Sequence, residues 1–399
     1  MVGIGGIGMS ALAQYYAHEG VSVSGSDREE SPVTSMLGEK GVAVVIGQKA
    51  ENVPADAQLL VYSDAVPADN QERVRATTLG ITQQSYFEAL GDVAKTKRTI
   101  AIAGTHGKTT TTAMLGKMLI DAGLDPTVVV GSIVTEWGSN FKAGKSNLFV
   151  VEACEYRNHF LTFSPEVLVI TNIELDHTDF FKSIDELTAA FDEARSKAGT
   201  VIEASLYKNE QVPELLVSGE FNKENARAAK AAAKLIAPDV PAEVWDHSLA
   251  SYKGTWRRFE YKGELAGGAT LYDDYAHHPT AIARTVSAAR EKFPGKKIVL
   301  FFHPHLYSRT RDLFDEFAAA LATSDKSYIL PVYAAREPHD PSVSNKMLAN
   351  SVNAKGGHAQ PVVDFAEAEK LLSTLDADTV SFTMGAGDIY KAGEQALKQ

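Results

Sequence analysis

The run TIAIAGTHGKTTTTAML, Thr99–Leu115, places a lysine and four threonines directly behind two glycines. An apolar strand, a glycine turn and a helix start, in that order, make an anion site: backbone N–H groups of the turn and the helix N-terminus converge on one point. Gly104, Thr105, His106 and Gly107 would form the turn. Lys108 would balance β/γ-phosphate charge, Thr109 would offer its hydroxyl to Mg²⁺, and Thr110 follows in the first helical turn. The spacing is shorter than G-x-x-x-x-G-K-[ST]. The bland alternative is a glycine turn with a threonine-rich cap.

A second glycine turn opens the chain. Gly3, Gly5, Gly6 and Gly8 precede an apolar helical pattern, and Asp27 ends the next strand after Ser26. That spacing suits a dinucleotide or another phosphorylated ligand, and equally a tight turn packing a helix on a sheet. The first strand is almost missing, because the chain starts at Met1-Val2.

Two further strand ends carry acids and histidines, VVEACEYRNHF and VITNIELDHTDFF. Glu152 and His177 could ligate Mg²⁺ there. A carboxylate suits that ion and a histidine is a less usual ligand; solvated loops and helix caps use the same residues. Cys154 reads as a small buried residue rather than a nucleophile. YDDYAHHPT and FHPHLYSRTRD add His277, His278, His303 and His305. A zinc site is conceivable, but adjacent histidines on an extended segment point to opposite faces. Arginine beside serine and threonine better fits carboxylate or phosphate recognition. Arg311-Asp312 also reads as a surface helix start.

The elements that must position these groups alternate. VSVSGSD, AQLLVYSDA, TIAIAG, LFVVEAC, VLVITNI, KIVLFFH, SYILPVY and TVSFTMGAG read as buried strands, with amphipathic helical stretches between them. Alternation of this kind predicts an α/β architecture with parallel sheets and ligands at the carboxyl ends of strands. With 399 residues the chain exceeds one ordinary core, and polar GDVAKTKRT and SLASYKGTWRRFE suggest boundaries. Three domains are expected, over 1–95, 96–254 and 255–399. The last begins with hairpin-like sequence, RRFEYKGELAGGATLYDDYAHHP.

Hydrophobic content of 44%, charged content of 23% and a net charge of −12 describe a globular chain without a broad surface for nucleic acid or anionic membrane. One cysteine allows no internal disulfide, and no apolar run is long enough to span a bilayer. No secretory signal is visible, and a cytoplasmic protein is expected, either monomer or homodimer.

As a set, these motifs resemble the Mur ligase family. GIGGIGMSALA, SGSD, GTHGKTTTTAML, VEACEYRNHF, TNIELDHTD, GEFNKENARAA, RRFE, DDYAHHPTAI, FHPHLYSRTRDLFDEFA and MGAGDIY fall in family order across nearly the whole chain. GTHGKTTTT together with PHxYSRT favours the alanine-adding branch. The branch that recycles whole tripeptides shares THGKTT and HHPT but usually not PHxYSRT.

The resemblance implies a Rossmann-like first domain, a P-loop central domain and a Rossmann-like third domain. It implies ATP-dependent ligation of L-alanine to the lactyl carboxylate of UDP-N-acetylmuramate through an acyl phosphate, in peptidoglycan synthesis. The first glycine loop then serves the UDP-sugar, with Ser26 and Asp27, and the second serves ATP. Thr109, Glu152 and His177 match metal ligands, Asn222 the adenine contact, Arg258 a linker arginine near the phosphates, and Asp274 the ribose contact. Tyr275, His277 and Arg309 match the surroundings of alanine, with Arg309 on its carboxylate.

Two departures stand out. The N-terminus looks trimmed, and only GTVIEASLYKNEQVPELLVSGE lies where the family carries another strand and a small antiparallel sheet. Shortening there bears on the adenine pocket more than on the phosphate loop. The rival readings are a NAD-dependent dehydrogenase, which leaves Lys108 unexplained, and a non-catalytic nucleotide-binding relative.

Overall fold

The computed structural model describes every residue except Arg336. The described residues pack as two compact units. The first comprises Met1–Ile173, Thr188–Pro213 and Asn225–Tyr252, and the second Glu174–Leu187, Glu214–Glu224 and Lys253–Gln399.

The first unit holds two sheets. In one, β1 (Ser24–Asp27) pairs in parallel with β2 (Ala43–Ile46), and β3 (Leu59–Tyr62) with β4 (Thr82–Ser85). Val2 bridges in parallel to both Ser26 and Tyr62, so one residue stands where a central first strand would run. The order β2-β1-Val2-β3-β4 is that of an open doubly wound sheet.

The other sheet has the order β10-β9-β5-β8-β6-β7. Its strands are β5 (Arg98–Ala103), β6 (Thr127–Val134), β7 (Ser139–Lys142), β8 (Leu148–Glu152), β9 (Val167–Ile170) and β10 (Thr200–Glu203). All pair in parallel except β7, which runs against β6. From Thr99 to Ala103 every residue of β5 is buried. A parallel strand covered on both faces requires such an unbroken run, because neither face reaches water. Between Lys208 and Gly219 no described residue belongs to a helix or strand, and the helix Glu220–Ile236 follows.

The second unit holds a sheet of order β11-β12-β16-β13-β14-β15. The strands are β11 (Glu260–Glu264), β12 (Thr270–Asp274), β13 (Lys297–Phe302), β14 (Lys326–Ile329), β15 (Ala359–Pro361) and β16 (Thr379–Met384). β11 and β12 form the antiparallel hairpin, and the remaining pairs are parallel. Along β13, Ile298, Leu300 and Phe302 enter one core cluster while Val299 and Phe301 enter another. Period-two alternation thus feeds apolar side chains to both faces, each worth about 1.5–3 kcal/mol when fully buried. In all three sheets the residues singled out for chemistry lie at strand ends or just beyond them: Asp27 in the first, Ala103 and Glu152 in the second, Asp274 and Phe302 in the third.

Candidate active site

The phosphate-type turn is clamped from beneath by the end of β9. Thr105 N donates to Asn172 O at 3.0 Å, and His106 N to Asn172 Oδ1 at 2.9 Å. Thr171 Oγ1 and Asn172 Nδ2 both donate to His106 O, at 2.6 and 3.0 Å. A side chain on Gly104 would overlap Thr171 and Asn172, and its φ of 125° excludes one in any case. Gly107, at φ 84°, caps the helix Lys108–Asp121 without a side-chain acceptor. A helix N-terminus with no side-chain cap is the end at which backbone amides favour an anion.

Lys108 is held in place. Its Nζ lies 3.0 and 2.9 Å from the two carboxylate oxygens of Glu155, and also donates to Gly104 O. The pair is nearly out of water, with side chains 13% and 1% exposed. Burial opposes the ammonium most strongly, but Glu155, Cys154 and Glu152 together outweigh it and raise the lysine above its ordinary value. Sequence reasoning missed Glu155; the signal available was its offset of three residues from Glu152 at the end of β8.

Thr109 Oγ1 donates to Glu152 Oε1 at 3.0 Å, and Gly131 N to Glu152 Oε2 at 2.7 Å. A hydroxyl and a carboxylate this close are hard oxygen donors, and they fit a hard divalent cation such as Mg²⁺. Thr110 is buried in the same helical turn. Burial pushes the Cys154 thiol up to about 12, so it is inert at neutral pH.

At the first glycine turn, Gly6 is exposed and precedes the helix Ile7–His18 with no side-chain cap. Gly5 N donates to Asp27 Oδ2 at 2.8 Å, so the aspartate at the end of β1 shapes the turn. Ser26 Oγ donates to the buried Glu72 at 2.6 Å. Gly3 has φ 78° and lies against Ser63, leaving no room for a side chain.

In the second unit Arg309 Nε donates to Asp176 Oδ1 at 2.8 Å, and its Nη1 lies 3.2 Å from His305 Nδ1. The His277 and His305 rings are 6.3 Å apart. His277 Nδ1 meets Tyr275 O at 2.8 Å; a carbonyl only accepts, so Nδ1 carries the proton and Nε2 is left as an acceptor. Burial first and then Arg309 depress His277 well below the ordinary histidine range, so it is neutral.

His278 turns elsewhere. Its Nδ1 accepts from Thr280 N at 3.3 Å, capping the helix Pro279–Lys292, and its Nε2 meets Leu175 O at 3.2 Å. The adjacent histidines thus serve different partners, as extended geometry requires. His177, at φ 53°, donates its N–H to Asp176 Oδ1 at 2.6 Å.

Asp274 is buried at the end of β12, accepting from Ala276 N at 2.8 Å and Thr285 Oγ1 at 3.1 Å. Burial pushes it up to about 6, against the pull of Arg258. Arg258 lies 5.1 Å from the Tyr275 ring centre. Its neighbour Arg257 is structural: buried, ion-paired to Asp273 at 2.7 Å, and bonded to Gly385 O and Gly387 O. Asn222 Nδ2 donates to Ser218 O at 2.6 Å, and Asn222 is buried.

Strand–turn–helix cradles with a lysine and a threonine–carboxylate pair define a phosphate-loop, nucleotide-using protein. Three domain models match the chain: "Mur ligase family, catalytic domain" over residues 1–98, "Mur ligase middle domain" over 102–198, and "Mur ligase, glutamate ligase domain" over 257–387. The UDP-N-acetylmuramate–L-alanine ligase of Desulfitobacterium hafniense (strain Y51) is 40% identical, covering 99% of this chain and 98% of that protein. The ligase of the same name from Lachnospira eligens is 38% identical, covering 100% and 97%. Among solved structures, the UDP-N-acetylmuramate–alanine ligase of Thermotoga maritima superposes with a TM-score of 0.84 at 29% identity, covering 100% and 97%. This chain belongs to the Mur ligase family.

Proposed function

We propose that the protein joins L-alanine to the lactyl carboxylate of UDP-N-acetylmuramate at the expense of ATP, in peptidoglycan biosynthesis. Full-length relatives at 36–40% identity that carry this activity in their names support it. The single structural observation behind it is the Lys108 cradle beside the Thr109–Glu152 pair.

A carboxylate is a poor electrophile. Its oxygen attacks the γ-phosphorus, ADP leaves, and an acyl phosphate results. The amine of alanine then adds to the acyl carbon, and inorganic phosphate departs. Lys108 and the turn amides hold the phosphate oxygens, and the protein contributes mainly position and charge. Thr109 and Glu152 would hold Mg²⁺, which supplies charge neutralisation; His177 matches a family metal ligand by its motif alone. Tyr275, His277 and Arg309 receive alanine; the unprotonated Nε2 of His277 is a hydrogen-bond acceptor for the amine, and the Arg309 guanidinium reads the carboxylate. Arg258, Asp274 and Asn222 serve the nucleotide. The domain limits 1–95, 96–254 and 255–399 belong to the same reading. No described helix is long and apolar enough to cross a membrane.

The test is phosphate release from ATP with UDP-N-acetylmuramate, with and without L-alanine. Release that depends on both substrates is expected. A protein that binds the UDP-sugar and ATP yet releases no phosphate belongs with the non-catalytic relatives instead.

A further inference from the structure

Tyr86 opens the helix Tyr86–Lys95, whose start is fixed by reciprocal bonds: Ser85 Oγ accepts from Glu88 N, and Glu88 Oε2 accepts from Ser85 N at 2.7 Å. The ring lies over the first turn of the helix Ile7–His18. A methyl group on Gly8 would sit 2.6 Å from Tyr86 Cζ and 2.8 Å from its Oη, so the third glycine of the motif is what admits the tyrosine. Phe87 meets the ring edge-on at 4.7 Å and stacks on His159 at 3.9 Å. His159 Nε2 is in turn 2.8 Å from Asp64 Oδ2.

The phenol is therefore wedged in place, yet its Oη bonds to no described residue. Burial, then Glu152 and Cys154, push its ionisation above the ordinary tyrosine range, which leaves a neutral donor. Tyr86 is only partly buried and its hydroxyl is not cut off from water, so an acceptor on a ligand can reach it. The hydroxyl lies against the UDP-sugar turn at Gly8, within the electrostatic reach of Glu152 at the metal position.

We propose that Tyr86 Oη donates a hydrogen bond to an anionic oxygen of the UDP-sugar, making Tyr86 a substrate-binding residue of the first compact unit. The inference rests on the function proposed above. Two oxygens of that substrate have the right chemistry, those of the diphosphate and those of the lactyl carboxylate.

Calorimetric titration of the whole protein and of Tyr86→Phe separates them, using UDP-N-acetylmuramate and UDP-N-acetylglucosamine, which lacks the lactyl group. The variant is expected to bind UDP-N-acetylmuramate about 10- to 100-fold more weakly, as for a lost bond to a charged group, with ADP affinity and Tm unchanged. An equal loss for both sugars assigns the diphosphate, and a loss confined to UDP-N-acetylmuramate assigns the carboxylate. Unchanged affinity for both sugars overturns the proposal. So does a parallel loss for ADP, which would mark a packing role. Gly8→Ala keeps the hydroxyl but displaces the ring, and is expected to weaken the same sugar. If Tyr86→Phe folds poorly, unchanged sugar binding by Gly8→Ala overturns the proposal instead. A parent protein that binds neither sugar fails the underlying reading, not the tyrosine.

Discussion

Arg309 and Asp176 form a buried ion pair, Nε to Oδ1 at 2.8 Å, with side chains 3% and 6% exposed. Burial alone would raise the Asp176 carboxyl, but the Arg309 guanidinium beside it holds it well below the ordinary carboxylate range. The arginine expected to meet a substrate carboxylate is thus already oriented by a carboxylate of its own unit. Sequence reading passed over Asp176 because it lies inside the motif LDHTD, where His177 drew the attention.

Removing one partner of such a pair strands the other charge. Asp176→Ala is expected to lower unfolding free energy by about 3–5 kcal/mol, measured by urea titration. A loss under about 1 kcal/mol would show the pair to be solvated in solution.

Arg309→Ala is expected to raise the KM of L-alanine, glycine and L-serine by similar factors, because a guanidinium reads the carboxylate they share. Arg309→Lys should not rescue it, since one ammonium cannot serve Asp176, His305 and a substrate in a fork. If alanine use collapses while serine use is kept, the carboxylate role is wrong.

Lys108→Ala is expected to abolish ligation and leave UDP-sugar binding intact. The turn that holds the lysine is fixed by Thr171 and Asn172, which the substitution does not touch. Loss of a charge set against a polyphosphate removes several kcal/mol of transition-state stabilisation, at about 1.4 kcal/mol per tenfold in rate. Glu155→Gln keeps the volume but frees the ammonium from its counter-charge; kcat should fall about tenfold or more while UDP-sugar affinity holds. Near-normal turnover in Lys108→Ala would remove the lysine from the chemistry; in Glu155→Gln it would show that the counter-charge is dispensable.

Much of this was legible in the sequence. Unbroken apolar runs at Ile100–Ala103 and Leu148–Val151 became central parallel strands because only a doubly covered strand tolerates them. The hairpin before Asp274 was readable from its glycines. β7, four residues of SNFK, was not: its place comes from tertiary contacts, with Asn140 Nδ2 bonding Ile7 O and Ser10 Oγ, and Gln14 Nε2 bonding Asn140 Oδ1. The same limit hid Asp176 and Tyr86, whose surroundings depend on what the fold brings opposite them; Glu155 had only its offset from Glu152 to mark it.

His303 predicts a pH response. Burial depresses its pKa to about 4, and Arg257 adds to the effect against Asp388. The unfolded chain protonates near 6.5, so stability is fully present above that value and is lost as pH falls toward 4, by about 3 kcal/mol in all. Asp274 has the opposite slope: a folded pKa of about 6 means that its contribution is present below about 4 and lost as pH rises through 6. The two trends partly cancel in the parent, so each is read as variant minus parent. His303→Asn should flatten the acid limb in Tm between pH 6.5 and 4, and an unchanged slope would mean that His303 is protonated in the fold.

The stretch after β10, which reads as shorter than in the family, yields the last expectation. Alignment with the Desulfitobacterium relative spans 445 positions against the 399 residues here, so at least 46 positions of that protein have no counterpart in this chain. The middle-domain match stops at residue 198, and no helix or strand forms between Lys208 and Gly219. β5, β8 and β9, which carry the phosphate turn, Glu152 and the Thr171–Asn172 clamp, all precede that stretch and are complete. Phosphate positioning should therefore survive. Adenine packing is assigned to Asn222, just after the stretch, and would lose a wall. A weakened adenine pocket raises ATP KM more than it lowers kcat, because the phosphoryl step is positioned elsewhere. The expected kinetics are a high ATP KM, a measurable kcat and a reduced preference for ATP over GTP. Strong discrimination against GTP at a low ATP KM would show the pocket to be intact, with the missing positions outside it.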